Sequence, residues 1–150
     1  MQLLKQKLLN KCTAFISERE AILQKAMSDI RESLLHETKS TAGDKHETGR
    51  AMLQLEREKI GNQLQITQKL KNNLRKIDLN NQGEHIKLGS IVFTSQYHYF
   101  IAISAGKITE NEYTFFAIAP DTPIGKLLLG KTIGDRIYFN KTEITITDVF

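Results

Sequence analysis

Two segments of the first half repeat their apolar residues mostly every three or four positions, and they predict two helices of about 33 residues each. This spacing places apolar side chains along one face of a long α-helix, and no proline interrupts either segment. At a rise of 1.5 Å per residue, each helix would be about 50 Å long. The first stripe consists of Leu4, Leu8, Cys12, Phe15, Ile22, Ala26, Ile30 and Leu34, and the second of Met52, Leu53, Ile60, Leu64, Leu70, Leu74 and Ile77.

A short polar segment, 39–44, separates the two stripes. Asp44 can cap the second helix, and Glu47 stands three residues later, where the acid of a capping box belongs. Two long helices joined by a short turn form an antiparallel hairpin, predicted over 1–78 with its tip near 39–47. Each helix has one narrow apolar face, so most of the surface of this coiled coil should lie in solvent.

Composition changes abruptly at residue 78. Both prolines, six of the nine glycines and most aromatic residues follow it, and the Asp-, Asn- and Gly-rich segment 79–85 is typical of a linker. Segments rich in Ile, Val, Phe, Tyr and Thr then predict about five strands of an antiparallel sheet. Between them, Thr122 can cap a short helix, Pro123 fits its first turn, and Gly130 can end it. The sequence therefore predicts an α+β protein with domains 1–78 and 86–150.

Several classes of protein are excluded by composition. A single cysteine, Cys12, excludes an internal disulfide framework and a multi-cysteine zinc site, and favours a reducing cytoplasm. No apolar run approaches the roughly 20 residues that cross a bilayer. Residues 1–78 carry 15 Lys and Arg against 10 Asp and Glu, whereas 79–150 carry 6 against 7. The basic half fits either a polyanion partner or a solvated helical face, although no aromatic residues interleave with its charges.

The candidate chemistry lies at the tip. Asp44 and Glu47 are three residues apart, so their carboxylates can share one helical face and hold a hard ion such as Mg²⁺. Two ligands bind weakly, so a partner would have to supply the others. The alternative is that both acids only cap the helix, which is worth about 0.5–2 kcal/mol. His36 and His46 flank the turn but lack the spacing of a metal site.

The segment AIAPDTPIGKLLLGKTIGDRIYF, residues 117–139, resembles the C-terminal signature of the bacterial GreA/GreB transcription elongation factors. Ala119 and Leu127 depart from that pattern. The resemblance implies a coiled-coil hairpin followed by an FKBP-like domain, in a monomeric cytoplasmic protein. The matching residues are Pro120, Thr122, Pro123, Ile124, Gly125, Leu128, Gly130, Lys131, Gly134 and Asp135.

At the tip, the two acids of the family's Gly-Asp-Leu-Ser-Glu motif correspond to Asp44 and Glu47. The resemblance implies that the C-terminal domain docks at the rim of the secondary channel of RNA polymerase, that the hairpin enters the channel, and that these acids help hold a Mg²⁺ of the polymerase active site. The chain would then be an accessory factor without a tightly bound cofactor, and the polymerase itself would cleave backtracked RNA. The predicted docking residues are Asp121, Thr122, Pro123 and Ile124.

Two alternatives remain open on the sequence. Lys45, His46 and Arg50 bring positive charge beside the tip acids, which suits a channel-occupying regulator that does not promote cleavage. The FKBP-like fold is shared with prolyl isomerases, so the C-terminal domain could also be such an enzyme. A shared fold does not imply a shared function, however, and the chain has no Trp that could form the base of a proline-binding pocket.

Overall fold

The computed structural model describes residues 1–39, 44–80 and 82–150, without the side chains of 38, 39 and 44–46. The chain divides into two compact units, Met1–Phe15 with Lys71–Phe150, and Ile16–Leu70. The division of the chain at 79–85 stays a prediction. The elements are α1 (Gln2–Lys39), α2 (Asp44–Arg75), β1 (Ile91–Thr94), β2 (His98–Ile101), β3 (Gly106–Glu110), β4 (Tyr113–Ile118), α3 (Pro123–Leu128), β5 (Arg136–Phe139) and β6 (Thr142–Val149).

The second unit is a hairpin of α1 and α2. A Cβ at Gly61 would lie 4.0 Å from Met27 Cε, and one at Gly49 would lie 3.4 Å from Glu37 Oε1. Gly49 of α2 thus lies beside Glu37 of α1, and the later Gly61 lies beside the earlier Met27. This order of contacts confirms the antiparallel pairing. The buried seam consists of Met27, Ile30, Leu34 and Ile60, with Leu23, Ala26, Leu53 and Leu64 packed against it.

The predicted stripes were wrong at two positions. Ile22 is 64% exposed and Met52 is 67% exposed, whereas their neighbours Leu23 and Leu53 pack against the seam. In both cases adjacent positions are apolar, so counting steps of three and four cannot decide which of the two neighbours faces the partner helix. Beside Arg19, where the first stripe has its gap, the seam opens into a groove of about 390 Å³, lined by Arg19, Leu23, Gln63, Ile66, Thr67 and Leu70.

The sheet has six strands in the order β3-β4-β2-β1-β6-β5. The predicted order of a helical hairpin, a sheet and one short helix is confirmed. The sheet is mixed rather than wholly antiparallel, because β2 pairs with β4 in parallel, with His98 opposite Phe115 and Ile101 opposite Ile118. The strand β3 lies between them in sequence but at the edge of the sheet, so β4 returns to β2 in the same direction.

The strand β3 was missed because its sequence, GKITE, is mostly polar and begins with a glycine. It is an edge strand with only Ile108 buried, so it has no need of a continuous apolar face. The turn into β4 has positive φ angles at Asn111 and Glu112, as a two-residue hairpin turn of the primed type requires.

The sheet packs against α3 and contacts the start of α1 within the first unit. One face buries a cluster with α3, and Leu128 at its centre is fully buried. The start of α1 supplies the fully buried Leu8 and Cys12, and Lys11 Nζ donates to the Thr109 carbonyl oxygen over 2.9 Å. The cluster beneath α3 consists of Ile86, Val92, Tyr99, Ile101, Ile124, Leu128, Ile137, Ile144 and Ile146.

Candidate functional site

The first candidate site is the beginning of α2. The helix begins at Asp44, and Glu47 is exposed three residues later, within the first turn of α2. The Asp44 side chain, the Lys45 and His46 side chains and residues 40–43 lie outside the described residues. The pairing of the Asp44 and Glu47 carboxylates on Mg²⁺ therefore stays a prediction.

A third acid close to this site was missed by sequence reasoning. Glu37, near the end of α1, is half-buried, and a Cβ at Gly49 would lie 3.4 Å from its Oε1 and 3.8 Å from its Oε2. These are ordinary contact distances, so the Glu37 carboxylate packs against the backbone of α2 beside Gly49, two residues after Glu47. The antiparallel register of the hairpin is the signal that could have placed Glu37 here.

Positive charge also lies near Glu47. Arg50 is exposed and follows Glu47 by three residues, so the guanidinium shares a helical face with that carboxylate. Within 1–39, 44–80 and 82–150, no group of three or more His, Cys, Asp or Glu side chains could hold a metal ion. The exposed carboxylate of Glu47 has the hard oxygen donors that Mg²⁺ takes, which suits an ion whose other ligands come from a partner.

The second candidate site is the beginning of α3. The Thr122 hydroxyl accepts from Gly125 N–H over 3.1 Å and donates to the Ala119 carbonyl oxygen over 2.7 Å, and Pro123 occupies the first turn. The predicted cap and first-turn proline are confirmed. Gly130 follows the end of α3 with φ +79°, as expected for a residue that stops a helix.

Gly125 allows a close approach that no other residue could make. A Cβ there would lie 2.4 Å from the Ala119 carbonyl oxygen and 2.9 Å from that of Pro120. Farther along, Asp135 Oδ2 accepts from Thr132 N–H over 2.8 Å. The residues of segment 117–139 that resemble the family signature therefore build a capped helix and the turns around it.

The predicted docking residues divide by exposure. Asp121 and Pro123 are exposed and Thr122 is half-buried, whereas Ile124 is only 8% exposed and packs into the cluster beneath α3. Leu127, 37% exposed, lies one turn after Pro123 and so shares its outer face. The sequence analysis did not name Leu127 as a surface residue. Its position four residues after Pro123 in the same helix could have placed it on the same face.

A histidine of the sheet was not singled out from the sequence. The ring centroid of His98 lies 4.4 Å from that of Phe93 and 5.8 Å from that of Tyr113. Burial lowers the pKa of His98, and among the described side chains its Nδ1 is the buried polar atom without a hydrogen-bond partner. An aromatic environment without an acid favours the neutral imidazole.

None of the helices in the described parts of the chain is long and apolar enough to span a membrane.

No family model and no curated protein matches the chain. The chain is similar to several solved structures, including the following two. One, the GreA factor homolog 1 (Gfh1) protein of Thermus thermophilus, is 21% identical, with 87% of this chain and 94% of that chain covered and a TM-score of 0.35. The other, the transcription factor Gfh1, is 20% identical, with 87% and 92% covered and the same TM-score.

Proposed function

We propose that this chain is a Gre-type transcription elongation factor that binds RNA polymerase and stimulates cleavage of backtracked RNA. The proposal rests on one observation, namely that two features of such a factor occur in the same chain. A helical hairpin has acids at the start of its second helix, and the sheet that follows presents the signature-like segment 117–139 as a capped surface helix.

The hairpin suits delivery of ligands into a confined site. Its seam is narrow, and large apolar residues such as Leu35 and Leu55 are 63% and 66% exposed, so the second unit has no broad core of its own. Glu47 at its end is exposed and can reach a partner's ion. In this proposal Asp44 and Glu47 donate carboxylate oxygens and the polymerase donates the remaining ligands.

The chemistry belongs to the polymerase. When bound between the two proteins, Mg²⁺ would stabilise charge on the scissile phosphate and help generate the attacking hydroxide. Asp44 and Glu47 would orient that ion. In docking, the exposed Asp121 and Pro123 would contact the rim of the channel.

The test is transcript cleavage in stalled, backtracked elongation complexes of the cognate polymerase. We expect Mg²⁺-dependent shortening of the RNA that the double variant Asp44→Asn, Glu47→Gln abolishes without loss of polymerase binding. The matched control is Glu56→Gln with Glu58→Gln, two exposed acids farther along α2. Full cleavage by the tip double variant would refute the role of the tip acids.

A second candidate function rests on Arg50. Its exposed guanidinium shares a helical face with Glu47 and would weaken the attraction of that carboxylate for a cation. The chain would then occupy the channel and regulate synthesis without promoting cleavage. Polymerase binding without RNA shortening, followed by a gain of cleavage in Arg50→Glu, would favour this function over the first.

A further inference from the structure

A cavity of about 240 Å³ lies in the first unit, between the turn that joins β1 to β2 and the turn that joins β5 to β6. None of its lining residues belongs to either candidate site. The lining residues used below are Gln96, Tyr97, Tyr99, Asn140 and Thr142.

Both walls of the cavity are fixed by the backbone. In the first turn, Thr94 Oγ1 accepts from Tyr97 N–H over 3.1 Å. Ser95 N–H donates to the Thr145 carbonyl oxygen over 2.9 Å, which ties this turn to β6. In the other turn, Asn140 has φ +51°, as a two-residue hairpin turn of the primed type requires. The cavity is therefore formed before any ligand binds, which is usual for sites that bind small molecules.

The Tyr99 hydroxyl is available to a ligand. Tyr99 is 6% exposed, and its hydroxyl has no hydrogen-bond partner among the described residues. The fully buried side-chain atom without a partner in those residues is His98 Nδ1, so the Tyr99 oxygen reaches solvent, on the side where Tyr99 lines the cavity. Burial raises the pKa of Tyr99 above its ordinary value of 10.0, and the nearby Tyr97 raises it further. The hydroxyl therefore keeps its proton at neutral pH and can donate it.

The cavity has an aromatic wall and no charge. Tyr97 is 54% exposed, and its ring meets the Phe116 ring edge to face, with centroids 5.4 Å apart and an angle of 83° between the planes. This contact holds the Tyr97 ring in place. Every residue that lines the cavity is uncharged, so an ionic ligand would find no counter-charge there. The cavity therefore suits an uncharged ligand that can stack on an aromatic ring.

We propose that this cavity binds an uncharged planar ring with a carbonyl oxygen, of the kind found in pyrimidine nucleobases, which accepts a hydrogen bond from Tyr99 and stacks on Tyr97. Stacking of a base on an aromatic side chain favours a flat ring over an acyclic peptide amide of the same polarity. Gln96 and Asn140 also line the cavity, and a carboxamide can both donate to and accept from the edge of a base. At ~30 Å³ per water, the cavity has room for about eight waters, which is enough for one ring and a substituent.

The experiment does not depend on the polymerase. The full chain, labelled with ¹⁵N, is titrated with uridine, with adenosine and with N-acetylglycine methylamide as a peptide probe. We expect uridine to cause saturable shifts of the Tyr97 and Thr142 amide signals. Tyr99→Phe should weaken uridine binding about three- to tenfold through the lost hydrogen bond, and Tyr97→Leu about fivefold or more through lost stacking. Tyr138→Phe, at an exposed tyrosine of β5 outside the cavity, is the matched control and should change nothing.

The three probes separate the possible ligands. Uridine binding that is tighter than that of both other probes supports the proposal, because the adenosine base lacks a carbonyl oxygen and the peptide probe lacks a ring. Uridine binding that is no tighter than either of them overturns it. So does the absence of saturable shifts, or uridine binding that is unchanged in Tyr99→Phe and Tyr97→Leu.

Stability supplies a second test. Because the Tyr99 hydroxyl has no partner within the described part of the fold, Tyr99→Phe should be at least as stable as the parent in urea unfolding. A less stable Tyr99→Phe would mean that the hydroxyl is already bonded inside the fold, and would overturn the proposal.

Discussion

The ammonium of Lys11 lies 3.0 Å from Glu110 Oε2, and Lys7, one turn earlier on α1, lies 3.5 Å from Glu110 Oε1. Two lysines of the first helix thus hold one carboxylate at the end of β3. Lys11 also donates to the Thr109 carbonyl oxygen. These contacts fasten the beginning of α1 to the edge of the sheet.

Replacing Glu110 should change how stability depends on pH. The hydrogen bond from Lys11, aided by Lys7, holds the pKa of Glu110 below its ordinary value of 4.5. A carboxyl with a lowered pKa stabilises the folded state above the ordinary value, and that stabilisation is lost as pH falls through the folded pKa. We expect Glu110→Gln to be less stable than the parent at pH 7 and to converge with it below pH 4.5, measured by urea unfolding.

The control for the pH dependence of Glu110→Gln is Glu143→Gln. Glu143 pairs with Arg136 at 3.3 Å, but both side chains are more than half exposed, so the pair should contribute little at any pH. A difference between Glu110→Gln and the parent that does not shrink in acid would contradict the role given to the two lysines.

Gly125→Ala should destabilise the first unit. The added Cβ would lie 2.4 Å from the Ala119 carbonyl oxygen, and the rigid backbone there cannot yield cheaply. Overpacking of this kind costs about 1–3 kcal/mol. Gly61→Ala is the matched control, because a Cβ there meets only Met27 Cε at 4.0 Å, and alanine in a helix interior should stabilise by about 0.5–1 kcal/mol. Equal urea midpoints for both variants would argue against the close approach.

His98 should make the sheet sensitive to mild acid. Because burial lowers its folded-state pKa below the ordinary 6.5, the unfolded chain binds the proton more readily, and stability falls as pH drops below 6.5. In urea unfolding, the free energy of unfolding of His98→Phe should therefore fall less than that of the parent between pH 7.5 and 5.5. The exposed His85, changed to Gln, should leave the loss unchanged. An identical pH dependence in His98→Phe and the parent would refute this.

Cys12 should be inert in the folded protein. Burial raises the pKa of its thiol from 9.0 to about 12, although a hydrogen bond with the Ile103 backbone opposes the shift. The thiolate is the reactive form, so the raised pKa predicts that alkylation by iodoacetamide at pH 8 is at least a hundredfold slower than in the unfolded chain, on the order of the lost thiolate fraction. The same reaction in concentrated guanidinium chloride is the control. Rapid labelling of the folded protein would mean that the start of α1 leaves the sheet.

Local signals made the helices predictable. The two stripes and the Thr122-Pro123 cap act within a few residues, so the hairpin and α3 follow from the sequence alone. The parallel pairing of β2 with β4 depends on where β3 is placed, and no local pattern reports it.

The candidate site was predicted unevenly for the same reason. The spacing of Asp44 and Glu47 is local and follows from helical geometry, whereas the approach of Glu37 to Gly49 depends on the register between two helices. Ile124 belongs to the signature-like segment, but its burial depends on the strands beneath α3.

The position of β6 has a consequence for synthesis on the ribosome. β6 lies inside the sheet, between β1 and β5, and the Ile91 and Phe150 backbones exchange two hydrogen bonds of 2.9 Å. A nascent chain must therefore extend nearly fifty residues beyond β1 before that strand gains its second neighbour. The hairpin residues 16–70 emerge earlier and pair among themselves. During translation the helices can form while the unfinished sheet keeps open strand edges, which makes this interval the one in which the chain most needs protection from aggregation.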